Sequence, residues 1–289
     1  PKPVIYTAYF AQSTKLLARA ARVLGRTEDA EKYEALWRGV RDAFRREYVD
    51  DEGQVRGNSQ TGYVLALAFD LLDDEMRAKA ERNLVGHIEG RGWHLSTGFV
   101  GTKDLMLVLD QIGRNDVAYR LLLNRTFPSW GFTIEHGATS IWERWNGWTP
   151  EDGFNNPGMN SFAHYSFGAV GQWIFETVGG IDTAGPGFKD IVIRPRPGGE
   201  LTWAETSYDS IQGTIATRWE REGNELTLDV TIPPNTSATI HVPAAEDAEV
   251  LEGGKPAENA DGLEYLGRED GAAVFRAGAG RYAFSSRME

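Results

Sequence analysis

The sequence predicts a multidomain α and β protein, with helical hairpins in its first part and an antiparallel β-sandwich in its second. The main observation is a change of hydrophobic period near residue 180. Apolar residues recur at helical spacing before that point and alternate along short segments after it. The stretch from Gly179 to Gly187, which holds four glycines and a proline, lies at the change. We therefore expect domains at 1–180 and 181–289.

Helical spacing is clearest in 33–48, where apolar and aromatic residues recur every three or four positions. Gly25 ends a helix predicted at 9–24, and Thr27 is placed to cap the next one, which predicts an antiparallel helix pair. Further helices are predicted at 60–72, 74–88, 102–112, 116–123 and 160–178. Helices joined alternately by short and long connections indicate stacked hairpins.

The second part shows short alternating segments separated by Gly, Pro and Asn. This pattern is typical of the strands of a sandwich. Strands are predicted at 191–193, 214–219, 226–232, 238–242 and 272–275. We expect no catalytic residue among them, because their polar residues form no convergent set.

Composition excludes several classes of function. The chain of 289 residues has a formal charge of −12, the wrong sign for binding nucleic acid or an anionic membrane surface. It has no cysteine, and its five histidines show no close ligand pairing, so we expect neither a metal nor another cofactor. No apolar run reaches the roughly 20 residues that span a bilayer. We expect a soluble protein, cytoplasmic or secreted.

The stretch 130–173 is unusually rich in aromatic residues, and much of it is predicted loop. Sugar rings stack on aromatic faces, and their hydroxyls need directed hydrogen bonds from carboxylate, amide and imidazole groups. The stretch contains all of these groups. It therefore indicates a carbohydrate site, and the alternative is a hydrophobic cluster that seals the helical part.

Two residues of this stretch are candidates for chemistry. Glu143 stands between Trp142 and Arg144, so it could act as a general base on water or form a surface pair with the arginine. His164 could donate a hydrogen bond to a sugar hydroxyl or satisfy a loop carbonyl. The residues alone leave both alternatives open.

Three segments together resemble a known family: Thr139-Ser140-Ile141-Trp142-Glu143-Arg144-Trp145, Met159-Asn160-Ser161-Phe162-Ala163-His164-Tyr165 and Gly168-Ala169-Val170-Gly171. They are similar to segments of the bacterial α-L-rhamnosidases of glycoside hydrolase family 78. Shorter similarities occur at 7–9, 60–63, 94–102 and 193–195. The resemblance covers nearly the whole first part and enters the second.

The resemblance implies a partial (α/α)6 barrel followed by a C-terminal β-sandwich. It also implies an inverting hydrolase that removes terminal rhamnose from rhamnose-containing glycosides, with Glu143 as general base and His164 in contact with the sugar. The family's general acid would precede Pro1, where the helical pattern begins almost at once. We therefore expect this chain to be a fragment that needs the N-terminal remainder of the same enzyme and is nearly inactive alone.

Proximity to the motifs makes Trp145 and Trp148 candidate walls of a sugar pocket and Asn160 a candidate hydroxyl partner. Two alternatives stay open. Another (α/α)6 glycosidase, acting on trehalose, glucosides or fucosides, would also combine helical hairpins with tryptophan-rich loops. A noncatalytic carbohydrate-binding fragment would use the same aromatic and polar groups without any reaction.

Overall fold

The computed structural model describes residues 2–289, which belong to two compact units. The first unit ends at Val170 and is mainly helical, and the second runs Gly171–Glu289 and consists mainly of strands. This division falls before the domain boundary expected at 180/181. That boundary stays a prediction.

The helices of the first unit form successive hairpins. They are α1 Lys2–Val23, α2 Thr27–Tyr48, α3 Gln60–Ala68, α4 Asp74–Glu89, α5 Phe99–Gln111, α6 Asn115–Leu122 and α7 Trp130–Glu135. The turn between α1 and α2 contains Gly25, whose φ is +70°. This conformation costs glycine little, because glycine has no Cβ. The two helices pack along each other and bury the small residues Ala8 and Ala11 of α1 and Phe44 of α2.

Several predicted helix ends are wrong. α1 begins at Lys2 rather than at 9, α3 ends at Ala68 rather than at 72, and α5 begins at Phe99 rather than at 102. Thr27 does not cap α2, because it is already the first helical residue and Arg26 precedes it without a side-chain cap. The periodic cores of these helices are where the sequence predicts them.

The long helix predicted at 160–178 is wrong in its first third. Helical turns begin only at Ser166, as a 3₁₀ turn Ser166–Ala169, the short α8 Val170–Trp173 and a π turn Ile174–Val178. Residues 160–165 form an irregular loop whose backbone groups bond to another segment: Ser161 O accepts from Glu143 N at 2.8 Å, and His164 N donates to Ile141 O at 2.8 Å. These long-range bonds replace those of a helix.

The strands follow in chain order. A small hairpin in the first unit joins β1 Trp148–Thr149 and β2 Gly153–Phe154. The second unit contains β3 Ile181–Thr183, β4 Asp190–Ile193, β5 Trp203–Ser210, β6 Gly213–Glu222, β7 Glu225–Ile232, β8 Ser237–Pro243, β9 Leu251–Glu252, β10 Lys255–Pro256, β11 Leu263–Glu269, β12 Ala272–Ala277 and β13 Gly280–Arg287. The five predicted strands lie within β4, β6, β7, β8 and β12.

Two sheets make up the second unit, with strand orders β10-β9-β13-β7-β6-β5 and β11-β12-β8-β4-β3. Their pairs are antiparallel except β4 with β8, which run parallel, so the predicted antiparallel sandwich needs this one correction. Alternate residues of β7 are buried, as its pattern of leucine, valine and isoleucine predicts, and Trp219 of β6 is fully buried. The alternation of apolar and polar residues along these strands therefore predicts which side chains form the core of the unit.

Candidate active site

Two motif segments lie side by side in the first unit. The backbone bonds of Glu143 to Ser161 and of His164 to Ile141 join 141–143 to 161–164. The Ser140 hydroxyl adds a bond to the carbonyl of Phe162. The two segments that the sequence singles out separately are thus one structural feature, although twenty or so residues separate them along the chain.

The Glu143 side chain is half-buried, and one of its oxygens is fixed by the backbone. Its Oε2 accepts a hydrogen bond from Ser161 N at 2.8 Å. Its Oε1 has no partner within residues 2–289. Arg144 forms no ion pair with it within residues 2–289. The carboxylate is therefore oriented while one oxygen stays available.

Glu143 lines a cavity of about 540 Å³. A volume of this size is within the range of small-molecule sites, roughly 300–1,000 Å³. Most of the wall is apolar or aromatic, and two arginines and one carboxylate supply its charge. The lining is Arg91, Leu95, Ser96, Gly98, Phe99, Phe127, Pro128, Glu143, Arg144, Trp145, Asn146, Met159 and Phe167.

Trp145, an aromatic residue of this wall, is held by two ring contacts and a hydrogen bond. Its ring stacks on Phe167, with centroids 4.0 Å apart and planes 15° from parallel, and meets Trp130 edge to face at 5.3 Å. Its Nε1 donates to Thr97 O at 2.9 Å. Because the stacking and the hydrogen bond act together, the indole presents a fixed surface to the cavity.

The loop that receives this hydrogen bond is itself held by Gln60. This fully buried side chain donates from Nε2 to His94 O at 2.9 Å and accepts at Oε1 from Ser96 N at 2.6 Å. Nearby, Gly101 leaves no room for a Cβ, which would lie 2.6 Å from the Thr61 hydroxyl. The segments 60–63 and 94–102 therefore support the cavity wall.

His164 does not line the cavity. Its ring stacks on Phe99, a cavity residue, with centroids 4.8 Å apart and planes at 11°, and it also stacks with Tyr165, with centroids 5.4 Å apart. Its Nδ1 accepts from Ser166 N at 3.3 Å, so the neutral ring carries its proton on Nε2. His164 thus lies one ring away from the wall, with Nε2 as its donor.

Trp148 and Asn160 also lie outside the cavity lining. The Trp148 ring contacts His136 at 5.2 Å. The Asn160 Nδ2 donates to Gly147 O at 2.8 Å, and a Cβ on Gly147 would approach the Asn160 Oδ1 to 2.9 Å, so glycine suits this position. Of the five candidate residues, the structure brings Glu143 and Trp145 together at one cavity.

The site contains residues that sequence reasoning missed, namely Ser161, Gln60, Thr97 and Phe99. Ser161 and Thr97 act through their backbone groups, so the type of residue at these positions does not indicate the role. Gln60 and Phe99 do lie in segments that carry the resemblance, and a mostly apolar helix that begins with glutamine could have drawn attention to Gln60.

No group of three or more His, Asp or Glu within residues 2–289 is arranged to hold a metal. No helix in the same range has the length and apolarity to cross a membrane.

The first unit thus combines helical hairpins with a half-buried glutamate at an aromatic cavity, and a unit of two sheets follows it along the chain. Residues 1–178 match the family model described as the bacterial α-L-rhamnosidase six-hairpin glycosidase domain. Residues 180–256 match the model of the bacterial α-L-rhamnosidase C-terminal domain. The chain belongs to the bacterial α-L-rhamnosidase family, which confirms the predicted family and fold class.

Individual relatives support this family assignment. An α-L-rhamnosidase of Streptomyces avermitilis is 45% identical over 99% of this chain, and one of Formosa agariphila is 40% identical over 98%. The crystal structure of the Streptomyces avermitilis α-L-rhamnosidase complexed with L-rhamnose covers 99% of this chain with a TM-score of 0.91 and 44% identity. The chain spans only 27% and 31% of the lengths of these two curated relatives.

Proposed function

We propose that the complete protein hydrolyses terminal α-L-rhamnose from glycosides with inversion, and that Glu143 is its general base. The observation that carries the proposal is the Glu143 carboxylate, held at Oε2 by Ser161 N and lining the aromatic cavity. Family membership and relatives named α-L-rhamnosidase support the choice of sugar.

The geometry suits activation of a water molecule. Because Oε2 is occupied by the Ser161 N–H, Oε1 is free to accept a proton from water, whose oxygen then attacks the anomeric carbon from the face opposite the leaving group. The bond from the anomeric carbon to the glycosidic oxygen breaks as the new bond forms. The leaving oxygen takes a proton from a second carboxyl group, and the configuration inverts.

We propose that this second carboxyl comes from the N-terminal remainder of the same enzyme. Within residues 2–289, Glu143 is the only carboxylate of the cavity lining. The helix α1 also exposes apolar side chains, with Tyr6 65%, Phe10 51% and Leu17 46% accessible. An apolar face of this kind is typical of a surface that packs against further protein.

The α1 face can be tested on this chain by light scattering. We expect the chain to self-associate and to hydrolyse aryl rhamnosides at a small fraction of the rate of the complete protein. Replacing Tyr6 and Phe10 by Ser should reduce association, whereas replacing Arg46 by Ser, an exposed polar change on α2, should not. A clean monomer with full activity would contradict the proposed partner.

The remaining candidate residues are assigned to substrate binding. Trp145 forms a wall against an apolar face of the sugar ring. His164 donates from Nε2 to a sugar hydroxyl. Trp148 contacts the substrate through its ring, outside the cavity lining. Asn160 Oδ1 is buried without a partner within residues 2–289, so it serves as a hydroxyl partner only when substrate binding exposes it.

The direct test is Glu143→Gln in the complete protein. The amide oxygen can still accept from Ser161 N, so the fold should be retained, whereas kcat should fall about 10²- to 10⁴-fold, the usual contribution of a general base. Glu151→Gln, an exposed glutamate of the same loop region, is the matched control and should change little. Turnover within about threefold of the wild-type value would refute the assignment of Glu143.

A panel of aryl glycosides tests the sugar. We expect the complete protein to prefer the α-L-rhamnoside over the α-glucoside and α-L-fucoside. Preference for another sugar would favour a different glycosidase of the same fold. Binding of rhamnose without hydrolysis of any glycoside would favour a noncatalytic binding protein.

A further inference from the structure

The second unit contains a cavity of about 280 Å³ at a place where strands of both of its sheets end. Arg194 follows β4 and His241 lies in β8, and both strands belong to the five-stranded sheet. Arg221 lies near the end of β6 in the six-stranded sheet, and Met288 follows β13 of the same sheet. All four residues line the cavity, so the two sheets form it together.

The charge of this cavity is positive, although the chain has a formal charge of −12. Its lining contains the guanidinium groups of Arg194, Arg196 and Arg221. The carboxylates of the lining are those of Asp270 and Glu289. The three arginines are half-buried, whereas the two acidic residues are exposed. Because water screens exposed charges more than half-buried ones, the positive charge dominates inside the cavity.

Two of the arginines are fixed by bonds that use only some of their donors. Arg194 donates to Asp270 Oδ2 at 2.7 Å. Arg221 donates from Nε to Leu201 O at 2.7 Å and from Nη2 to Gly199 O, and it has no carboxylate partner within residues 2–289. A guanidinium group has five N–H donors, so both side chains keep donors for a ligand.

The backbone that carries Arg194 and Arg196 is also fixed. Arg194 N donates to Gly180 O at 2.7 Å, and Arg196 N donates to Thr177 O at 2.8 Å. A proline follows each arginine, and its ring restricts the backbone φ angle. The backbone positions of the two arginines are therefore set before a ligand binds, which lowers the entropy that binding would cost.

His241 is a buried polar residue of the same lining, with 7% of its surface accessible. Its Nδ1 is buried and has no hydrogen-bond partner within residues 2–289. Burial lowers the pKa of the ring, the charges of Arg194 and Arg196 lower it further, and Glu269 partly offsets them. Since buried polar atoms are normally hydrogen-bonded, the unpartnered ring indicates that a ligand in the cavity supplies a partner.

The lining favours an anion with more than two acceptor oxygens. A carboxylate has two oxygens, which the planar fork of one guanidinium group can occupy. A phosphate group has at least three free oxygens and about two negative charges, so it can accept from several guanidinium groups at once. The cavity volume is near the lower end of small-molecule sites, roughly 300–1,000 Å³, which suits a small ligand.

We propose that this cavity is an anion-binding site of the second unit and that its ligand is a tetrahedral dianion, phosphate or sulfate, free or as a small ester. Arg194, Arg196 and Arg221 donate to the oxygens of the anion, and the His241 ring contributes one further hydrogen bond. The site takes no part in glycoside hydrolysis, so the inference does not rest on the function proposed above.

Isothermal titration calorimetry of the complete protein tests the site with sodium phosphate, sodium sulfate and sodium acetate at one ionic strength. We expect one-to-one binding of phosphate or sulfate with a Kd on the order of 1 mM, and acetate binding at least about tenfold weaker. The tighter of the two tetrahedral anions identifies the preferred ligand. Failure of both to bind saturably, or equally tight binding of acetate, would overturn the proposal.

Variants locate the binding. Arg194→Gln and Arg221→Gln should each raise the Kd about tenfold, as loss of a charge-assisted hydrogen bond implies. Arg218→Gln is the matched control, because Arg218 lies on the same strand as Arg221, is exposed and pairs with Glu205 at 3.1 Å outside the cavity. It should leave the Kd within about twofold.

The Arg194→Gln variant keeps the test available if Arg221→Gln fails to fold, because Arg194 loses only its pair with the exposed Asp270. Thermal unfolding checks the fold of each variant. An unchanged Kd in the folded cavity variants, or an equal rise in Arg218→Gln, would contradict the assignment of the anion to this cavity.

Discussion

The sheets of the second unit and the loops around Glu143 are held by different kinds of interaction. Long hydrogen-bonded ladders join β6 to β7 and β7 to β13, and a continuous row of buried side chains runs along them. The loops rely on single bonds, such as Trp145 Nε1 to Thr97 O and Ser161 N to Glu143 Oε2. The comparison indicates that stability is spread over the sheets, whereas the geometry of the site depends on a few contacts.

The largest expected effect is on the sheets. Trp219 is fully buried, and its Nε1 donates to Val178 O at 2.7 Å. Trp219→Ala should lower the free energy of unfolding of the second unit by about 3–5 kcal/mol, measured by hydrogen exchange of the β6 and β7 amides. Trp203→Ala, at a position that is 59% exposed, should cost less than about 0.5 kcal/mol. Similar losses in both variants would contradict the comparison.

The second prediction concerns the loops. Trp145→Phe keeps an aromatic ring on Phe167 but removes the bond to Thr97 O, so kcat/KM of the complete protein should fall about tenfold with a small loss of stability. Trp130→Phe is a matched variant, because it also loses an indole-to-carbonyl bond, of 3.0 Å to Phe167 O, but Trp130 does not line the cavity. It should affect kcat/KM less. An equal fall in both variants would mean that packing, and not the cavity wall, sets the activity.

A smaller effect should come from Asp104 of α5. Burial raises the pKa of its carboxyl, an effect that Lys103 partly offsets, and Oδ2 has no partner within residues 2–289. A raised carboxyl pKa means that the folded state binds the proton more tightly than the unfolded state does. The contribution of this group to stability is therefore greatest at low pH and is lost as the pH rises through the pKa of the folded state. Exchange protection of α5 should therefore fall as the pH rises from 4 to 7. Asp104→Asn should remove this dependence, and a rise of protection with pH would contradict it.

The smallest effect should come from His241 of β8, and it has the opposite sign. Burial lowers the pKa of its ring, and the charge of Arg194 lowers it further. In the unfolded state the ring has its ordinary pKa of 6.5, so the unfolded state takes up a proton before the folded state does as the pH falls. The free energy of unfolding therefore decreases as the pH falls through this value. Protection of the β8 amides should drop by no more than about 1 kcal/mol between pH 7 and 5.5, and His241→Asn should flatten the profile. Constant protection in the wild type would exclude the linkage.

The sequence predicts those parts of the fold in which one period repeats. The alternation in β6, β7 and β8 and the helical stripe of α2 each repeat over several residues, so local pattern is enough. The prediction of a helix at 160–178 is wrong in its first third because residues 161–164 form hydrogen bonds with 141–143. A prediction from the pattern of neighbouring residues does not include such a distant segment.

The candidate site could be predicted only in part for the same reason. Glu143 and Trp145 are conspicuous because a carboxylate between indoles is an unusual local pattern. Gln60 is less conspicuous, since its role depends on His94 O and Ser96 N, 34 and 36 residues further along the chain. Supporting contacts of this kind are defined by the tertiary fold.

The stereochemistry of the reaction tests the central claim most directly, because a general base and a nucleophile leave different products. Proton NMR of the complete protein acting on an aryl α-L-rhamnoside identifies the anomer that appears first. If Glu143 activates water, β-L-rhamnose should appear first and then equilibrate. Initial appearance of α-L-rhamnose would show retention and would contradict the role assigned to Glu143.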